Sequence, residues 1–239
     1  VDVPLETLLD KSYAENLCSR IDMARASEPS VKGGLDGGTI YLTTADRWGN
    51  MVSFIHSIFS VYGSGVTIPP YGMILHNRGV AFSLDADSPN VVAPRKRPFH
   101  SIIAGFVMQN GQPLMTFGNM GGAVQPETHA QHMVNVIDHG MNLQMTTDAA
   151  RFTHSQTSNR LSLEHNLYSL VGRSLEAKGH NVRSVNGGAV GGYQGILFTK
   201  DPNLPPPIYS RESIEEDHPV NGIYRGGSDH RKDGGAVGW

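Results

Sequence analysis

Gly38-Thr-Ile-Tyr-Leu-Thr-Thr-Ala-Asp46 is the stretch that decides the fold, and it directly follows the glycine-rich segment Gly33-Gly34-Leu35-Asp36-Gly37. Its β-branched and aromatic residues predict a strand that begins at Thr39. A threonine at such a loop-to-strand junction can attack the carbonyl that precedes it, cut the chain, and afterwards use its freed α-amine as a base. Taken alone, Thr39 is more simply explained as the first residue of a strand, so its function depends on the residues downstream.

The composition is that of a globular protein with a small-molecule partner. The chain has 239 residues, 38% of them hydrophobic, which suffices for one large domain or two small ones. Its net charge of -3 comes from interspersed charges, so we expect no nucleic acid and no membrane among its partners. The single cysteine, Cys18, excludes an internal disulfide. No apolar run approaches the roughly 18 residues of a membrane span, and we expect a cytoplasmic protein.

Hydrophobic periodicity divides the chain into four stretches. Residues 4–27 have helical spacing, and the linker 28–38 that follows has no periodicity. The second stretch predicts strands and the third predicts helices: strands at 39–45, 51–57, 72–76, 102–108 and 113–117, and helices at 125–139 and 143–150. The last stretch predicts a helix at 167–178, strands at 182–185 and 192–199, and a proline-rich, acidic surface segment at 201–217. A strand block followed by helices indicates the α+β class.

Several motifs occur along the chain in one particular order. They are the run Gly38 to Ser53, Tyr62-Gly-Ser-Gly-Val66, Gly72-Met-Ile-Leu-His-Asn77, Arg97-Pro98 with Ser101, Gly118-Asn-Met-Gly-Gly122, Asp148-Ala-Ala-Arg-Phe152 and Gly227-Ser-Asp-His-Arg-Lys-Asp-Gly234. On these residues the chain resembles the gamma-glutamyltransferase family of N-terminal-nucleophile hydrolases. The resemblance implies a four-layer αββα sandwich, in which two stacked antiparallel sheets lie between helical layers. It makes residues 1–38 the end of a large subunit and residues 39–239 the small catalytic subunit, so the fold is incomplete without the large subunit.

The same resemblance assigns the catalytic residues. Thr39 is implied to be both the self-processing group and the nucleophile of an acyl-enzyme ester, which agrees with its position at the head of a strand. Ser57 stands where the family usually has a threonine that orients the nucleophile, and a serine can make the same hydrogen bond. Gly121 and Gly122 match the glycine pair whose backbone N–H groups stabilise the oxyanion. On spacing alone, this glycine pair would be an ordinary turn.

The substrate-binding residues depart from the gamma-glutamyl pattern. The positions that hold a substrate α-amine in that family carry Arg78, Ala81 and Phe59 here, and the serine pair that holds the α-carboxylate is His100 and Ser101. An arginine in place of an acid favours a carboxylate. We therefore expect a small amide with an anionic acyl group, as in the acylase-like branch of the family that includes oxamate amidohydrolase. A gamma-glutamyl or glutaryl acylase or transferase is the alternative, and Arg78 could equally be a surface arginine.

The resemblance implies no cofactor. It also implies that the partner of this chain is the large subunit of the same precursor, in a heterodimer or a dimer of heterodimers.

Two hypotheses from other classes of function remain open. His129 and His132 have one-turn spacing on a predicted helix and could bind a metal, although no third ligand is evident. The other hypothesis is an uncut, inactive scaffold, because a chain in which Gly38 is still bonded to Thr39 lacks the free α-amine of Thr39. The charged run Asp229 to Asp233 is expected to be a solvated loop.

Overall fold

The computed structural model describes residues 3–27, 38–201, 203 and 219–238. The predicted linker 28–38 apart from Gly38, the acidic run at 215–217 and nearly all of the proline-rich segment lie outside the described residues. The helices are α1 (Leu5–Leu9), α2 (Lys11–Ser19), α3 (Gln125–Ile137), α4 (Leu143–Asp148), α5 (His165–Leu167) and α6 (Arg173–Ala177), with a π-helical turn, Tyr168–Gly172, between the last two. The strands are β1 (Gly38–Ala45), β2 (Met51–Phe59), β3 (Thr67–Ile68), β4 (Met73–Ile74), β5 (Gly105–Gln109), β6 (Gln112–Met120), β7 (Phe152–Ser155), β8 (Arg160–Glu164), β9 (Asn181–Val185), β10 (Gly192–Lys200) and β11 (Gly222–Ser228).

Two antiparallel sheets stack face to face. One is the β1–β2 pair, and the other has four strands in the order β11-β10-β6-β5. The Tyr41 ring packs so closely on Gly118 that a Cβ atom there would lie 2.3 Å from it, and the hydroxyls of Thr43 and Thr116 share a hydrogen bond. Side chains alternate along a strand, so Thr39, Tyr41 and Thr43 share the inner face of β1.

Helices α3 and α4 cover the other side of the four-stranded sheet. The His132 ring of α3 stacks on Tyr193 of β10 with the ring centroids 3.8 Å apart. The buried core between these elements consists of Met115, Phe117, Leu143 and Tyr193. The sequence of layers is therefore β1–β2, the four-stranded sheet, and the α3–α4 layer.

The outer face of the β1–β2 pair is open among the described residues. Its side chains alternate with the inner ones, and the apolar members are exposed: Ile40, Leu42, Val52 and Phe54. The described residues thus supply three layers of the expected four-layer sandwich. A continuous apolar strand face of this kind is normally covered by another element.

The structure differs from the expected strands in three places. The strand expected at 72–76 is only two residues long, Met73–Ile74, and pairs with β3. A third sheet of β7, β8 and β9, in which β8 and β9 run parallel, was not predicted in full. The last strand, β11, was not among the expected strands. By contrast, the turn between β5 and β6 has Asn110 at φ 53° and Gly111 at φ 78°, as an Asn-Gly hairpin requires. Within the described residues, no helix is long and apolar enough to cross a bilayer.

Candidate active site

Thr39 and Ser57 face each other across the β1–β2 pair. They are register partners, and their hydroxyl oxygens lie 3.1 Å apart, with Thr39 donating to Ser57. Directly beside them the register shifts, so that Gly38 pairs with Phe59. A bulge of this kind re-aims side chains and is common next to active sites. The bulge places the Gly38 carbonyl, the Thr39 hydroxyl and the Ser57 hydroxyl in one cluster.

The Ser57 hydroxyl makes four hydrogen bonds within this cluster. It donates to the Gly38 carbonyl oxygen at 2.9 Å. It accepts from Thr39 Oγ1, from the Phe59 backbone N–H at 3.0 Å, and from Arg78 Nη2 at 2.7 Å. A hydroxyl has one hydrogen and two lone pairs, so the three donors crowd its acceptor side and the hydrogen is left for Gly38. The carbonyl that precedes Thr39 is thereby polarised by a neutral O–H donor.

Phe59 is held in a strained backbone conformation beside the cluster. Its φ of 75° lies in the left-handed region, which bulky side chains rarely adopt, while its ring is buried. Residues held in this way cost on the order of 1 to 3 kcal/mol each and concentrate at functional sites. The backbone N–H of this strained residue donates to Ser57 Oγ.

Arg78 is a buried cation at the edge of the cluster. It begins the 3₁₀ turn Arg78–Ala81, is 2% exposed, and forms no ion pair with a carboxylate of the described residues. Burial lowers its pKa, but a guanidinium stays protonated at neutral pH. The alternative that Arg78 is a surface arginine is therefore wrong. A buried guanidinium without a carboxylate partner among the described residues is a site that an anionic ligand can occupy.

Gly121 and Gly122 lie where β6 ends and the 3₁₀ turn Gly122–Val124 leads into α3. Their φ angles are 146° and 65°, and a Cβ atom on Gly121 would lie 2.9 Å from Val124 Cγ2 and 3.0 Å from the Gly191 Cα atom. The two sheets contact each other at Thr43 with Thr116 and at Tyr41 with Gly118. Because inner-face residues alternate, we infer that the next inner-face position, Thr39, lies toward the end of β6, where the glycine turn begins.

Ser101 and His100 occupy different environments. Ser101 is 6% exposed and its hydroxyl has no hydrogen-bond partner within the described residues. The backbone N–H of Ile103 donates to the buried side chain of Gln125 at 3.0 Å, which ties the Ser101 segment to the start of α3 and the glycine turn. His100 is exposed, and its Nδ1 lies 2.7 Å from the Pro98 carbonyl oxygen. The structure thus joins Ser101, but not His100, to the buried groups of this region.

A buried ionic network is connected through Asn119 to the segment that precedes the glycine turn. Arg151 donates to Asn119 Oδ1 at 2.9 Å and pairs with Asp229, and Arg231 pairs with Asp229 at 3.0 Å and with Glu164. Burial raises the pKa of Asp229, but the Arg151 guanidinium and backbone N–H groups outweigh it and hold this pKa below its ordinary value. The expectation of a solvated loop at Asp229 to Asp233 is wrong for Asp229, which is buried, and for Arg231, whose side chain is only 5% exposed. The network was not predicted from the sequence, although Arg151 and Asp229 lie in two of the motifs given above.

His129 and His132 are buried in the sheet-facing side of α3. His129 Nε2 accepts a hydrogen bond from the Asn119 backbone N–H at 3.0 Å, and both His132 nitrogens lack partners within the described residues. Burial lowers the pKa of His129 to about 4 and that of His132 to about 3, the latter with help from the Arg151 charge. In the part of the chain that the structure describes, no three His, Cys, Asp or Glu side chains are grouped as metal ligands. The geometry gives both histidines a packing role.

The site combines a threonine at the start of a strand, a serine on the facing strand and a glycine turn at the start of a helix. Comparison with known proteins identifies the family of the chain. The Gamma-glutamyltranspeptidase family profile matches residues 1–239. The chain belongs to the gamma-glutamyltranspeptidase family. The structure of this chain superposes on a cephalosporin acylase from Bacillus halodurans with a TM-score of 0.83 at 35% sequence identity, over 100% of this chain and 40% of the other. This likeness confirms the α+β class and the predicted N-terminal-nucleophile hydrolase fold.

Two curated members of the gamma-glutamyltranspeptidase family show the range of activities among relatives. The chain is 34% identical over 241 residues to the glutathione hydrolase-like YwrD proenzyme of Bacillus subtilis (strain 168), covering 99% of this chain and 42% of the relative. It is 32% identical over 244 residues to the oxamate amidohydrolase proenzyme of Klebsiella pneumoniae, covering 100% of this chain and 42% of the relative. The chain therefore spans about two fifths of the length of these family members.

Proposed function

We propose that this protein is a self-processing threonine amidohydrolase. The observation that carries the proposal is the cluster in which Ser57 joins the Thr39 hydroxyl to the Gly38 carbonyl, at 3.1 Å and 2.9 Å. Cutting between Gly38 and Thr39 would separate residues 1–38 from residues 39–239 and free the Thr39 α-amine. That amine is the base the hydroxyl needs in order to attack a substrate amide and form an ester, which water then hydrolyses.

The roles of the remaining residues follow from this chemistry. Ser57 would orient Thr39, and the N–H groups of Gly121 and Gly122 would receive the oxyanion of the tetrahedral intermediate. Preorganised donors of this kind are worth a few kcal/mol each, because they need no reorientation during the reaction. The absence of a side chain on Gly121 supports the assignment, since a Cβ atom there would collide with Val124 and Gly191.

The substrate we propose is a small amide whose acyl group carries an anion, as oxamate does. Arg78 is buried, has no carboxylate partner among the described residues, and is separated from the nucleophile by the Ser57 hydroxyl alone. An anion bound to its guanidinium would consequently lie close to the scissile carbonyl. A glutaryl or gamma-glutamyl amide places its charged end several bonds farther away, which fits this short separation less well. Ser101, which is buried, would contribute a polar contact on the carboxylate side, whereas the exposed His100 lies apart from the buried groups.

The glutathione hydrolase-like and acylase relatives favour a second candidate, a gamma-glutamyl or glutaryl acylase or transferase. Initial rates with oxamate, a glutaryl amide and a gamma-glutamyl amide, each with and without an added dipeptide amine as acceptor, separate the two candidates. The highest kcat/KM for oxamate, unaffected by acceptor, supports the first proposal. The highest kcat/KM for a gamma-glutamyl amide with acceptor-dependent turnover supports the second.

The partner we propose is a large subunit made from the same precursor, in a heterodimer or a dimer of heterodimers. Two observations support it: the relatives are proenzymes of which this chain covers 42%, and the outer face of β1–β2 exposes a continuous apolar surface. Such a face is expected to be covered in the working enzyme. Copurification of two fragments after cutting, with their mass in solution, tests the assembly.

Intact mass and N-terminal sequencing test the self-processing proposal. The protein is expressed with the coding sequence upstream of Val1, alongside a Thr39→Ala variant. A fragment that begins at Thr39 in the wild type, with the variant uncut and inactive, is the expected result. A folded wild-type chain that stays uncut would favour an inactive scaffold, and amidase activity in the variant would remove Thr39 from its role.

A further inference from the structure

We propose that Arg78 is a positioning residue for the self-cleavage of the chain, in addition to its role toward substrate. This inference rests on the proposed function, because it concerns the cut between Gly38 and Thr39. Its basis is that one atom, Ser57 Oγ, accepts from Arg78 Nη2 at 2.7 Å and donates to the Gly38 carbonyl oxygen at 2.9 Å. The guanidinium and the carbonyl to be cut are thus joined through a single hydroxyl.

The Arg78 contact is the shortest of the four hydrogen bonds on Ser57. Phe59 N and Thr39 Oγ1 are the other donors, at 3.0 Å and 3.1 Å. Bonds from an ionised donor are roughly twice as strong as neutral ones, and a hydroxyl that accepts such a bond becomes a better donor in turn. Arg78 is expected both to hold the Ser57 rotamer and to direct its hydrogen toward Gly38. No other charged side chain contacts Ser57 within the described residues.

The cleavage step explains why the Ser57 hydrogen must point toward the Gly38 carbonyl oxygen. Thr39 Oγ1 attacks the Gly38 carbonyl carbon, a C–O bond forms, and negative charge develops on the Gly38 oxygen that Ser57 contacts. The proton from Oγ1 ends on the Thr39 nitrogen as the C–N bond breaks, which leaves an ester and a free α-amine. Water then hydrolyses the ester, giving the Gly38 carboxylate and restoring the Thr39 hydroxyl. The Ser57 hydrogen bond strengthens as the oxyanion forms, and Arg78 increases that strengthening through Ser57.

Arg78 also suits this task because no carboxylate among the described residues neutralises it. A partner carboxylate would compete for its N–H groups and weaken its pull on Ser57, but the described residues provide none. Arginine offers a planar fork of five N–H donors, so one edge can hold Ser57 while another stays free for a substrate anion later. The same buried guanidinium would therefore act first on the Ser57–Gly38 pair and then on substrate.

The test follows the cut fraction over time after cell-free synthesis of the precursor, for wild type, Arg78→Ala, Arg78→Lys, Ser57→Ala and Arg183→Ala. Arg183 is an exposed arginine on β9 and serves as the matched control. We expect Arg78→Ala to slow cleavage by about 10-fold to 100-fold, as for loss of a stabilising donor, and Arg183→Ala to cut at the wild-type rate. Guanidinium ion below denaturing concentrations should restore Arg78→Ala but leave Ser57→Ala slow, since the ion acts through Ser57.

Three outcomes have distinct meanings. A folded Arg78→Ala chain, checked by circular dichroism, that cuts as fast as the wild type would overturn the inference and leave the proposed function intact. Slow cutting that neither guanidinium nor Arg78→Lys improves would show a structural role only, and would also overturn it. A wild-type chain that never cuts would instead refute the proposed function itself.

Discussion

The guanidinium carbon of Arg78 lies 5.2 Å from the centroid of the Phe59 ring, so a buried cation rests against an aromatic face whose own backbone is strained at φ 75°. An arginine stacked on an aromatic ring keeps its remaining N–H groups in a defined plane. The pair therefore holds a buried positive charge beside Ser57, which is hydrogen-bonded to both Arg78 and Thr39.

Arg78→Ala should change substrate preference more than overall turnover. The selectivity, kcat/KM for oxamate divided by kcat/KM for an uncharged amide of similar size, is expected to fall by about 10-fold or more, because a charge-assisted bond contributes about 1.5 to 3 kcal/mol. Rates are normalised to the amount of fragment that begins at Thr39, which separates this effect from slower maturation. An unchanged selectivity would exclude Arg78 from substrate binding.

Gly121→Ala should impair both stability and turnover. The φ of 146° is unsuited to an L side chain, and the new Cβ atom would lie 2.9 Å from Val124 Cγ2 and 3.0 Å from Gly191 Cα. We expect a loss of about 1 to 3 kcal/mol in the free energy of unfolding and a fall in kcat of about 100-fold, since the oxyanion donor moves. Urea unfolding and initial rates measure the two effects.

Gly140→Ala is the matched control for that experiment. Gly140 also has a positive φ, 62°, but a Cβ atom there would meet nothing within 4 Å. This variant should lose some stability through backbone strain and keep its kcat. If both variants lowered kcat alike, the glycine turn would have no special part in the reaction.

His132 should make the protein less stable as the pH falls below about 6.5. Its pKa is lowered to about 3 in the folded chain and that of His129 to about 4, whereas an unfolded histidine titrates near about 6.5. Between these values the unfolded state binds more protons, so the stability present above about pH 6.5 is lost on acidification by about 1.4 kcal/mol per pH unit for each histidine.

The measurement is urea unfolding of the uncut Thr39→Ala chain at several pH values. His132→Phe keeps a ring against Tyr193 and should reduce the slope of stability against pH, while substitution of the exposed His139 with Phe should not. A slope that His132→Phe leaves intact would assign the acid sensitivity to other groups.

Asp229→Asn should destabilise the fold strongly. Asp229 is 1% exposed and pairs with both Arg151 and Arg231, so removal of its charge leaves a buried arginine without adequate compensation. Breaking a buried pair in this way costs about 3 to 5 kcal/mol. Thermal or urea unfolding measures the loss, with Asp233→Asn, at an exposed position of the same run, as the control. Equal stability of the two variants would contradict a structural role for the network.

Much of the fold was predictable because its signals are local. The alternation at 39–45 and 51–57 predicted β1 and β2, the strands expected at 102–108 and 113–117 correspond to β5 and β6, and the spacing at 125–139 predicted α3. The β7–β8–β9 sheet was harder, because two of its strands are short and polar and its β8–β9 pairing is parallel, with the partner far along the chain. No local pattern reports such a pairing.

The candidate site was likewise predictable from the sequence only in part. The family resemblance carried by the motifs singled out Thr39, Ser57 and the glycine pair as candidates, because motifs are properties of short segments; taken alone, Thr39 would be a strand residue and the glycine pair an ordinary turn. The structure alone established that Arg78 is buried against Ser57, 21 positions away, and that Asp229 pairs with Arg151, 78 positions away. Burial and charge pairing depend on which distant segments pack together, and that is a property of the folded chain as a whole.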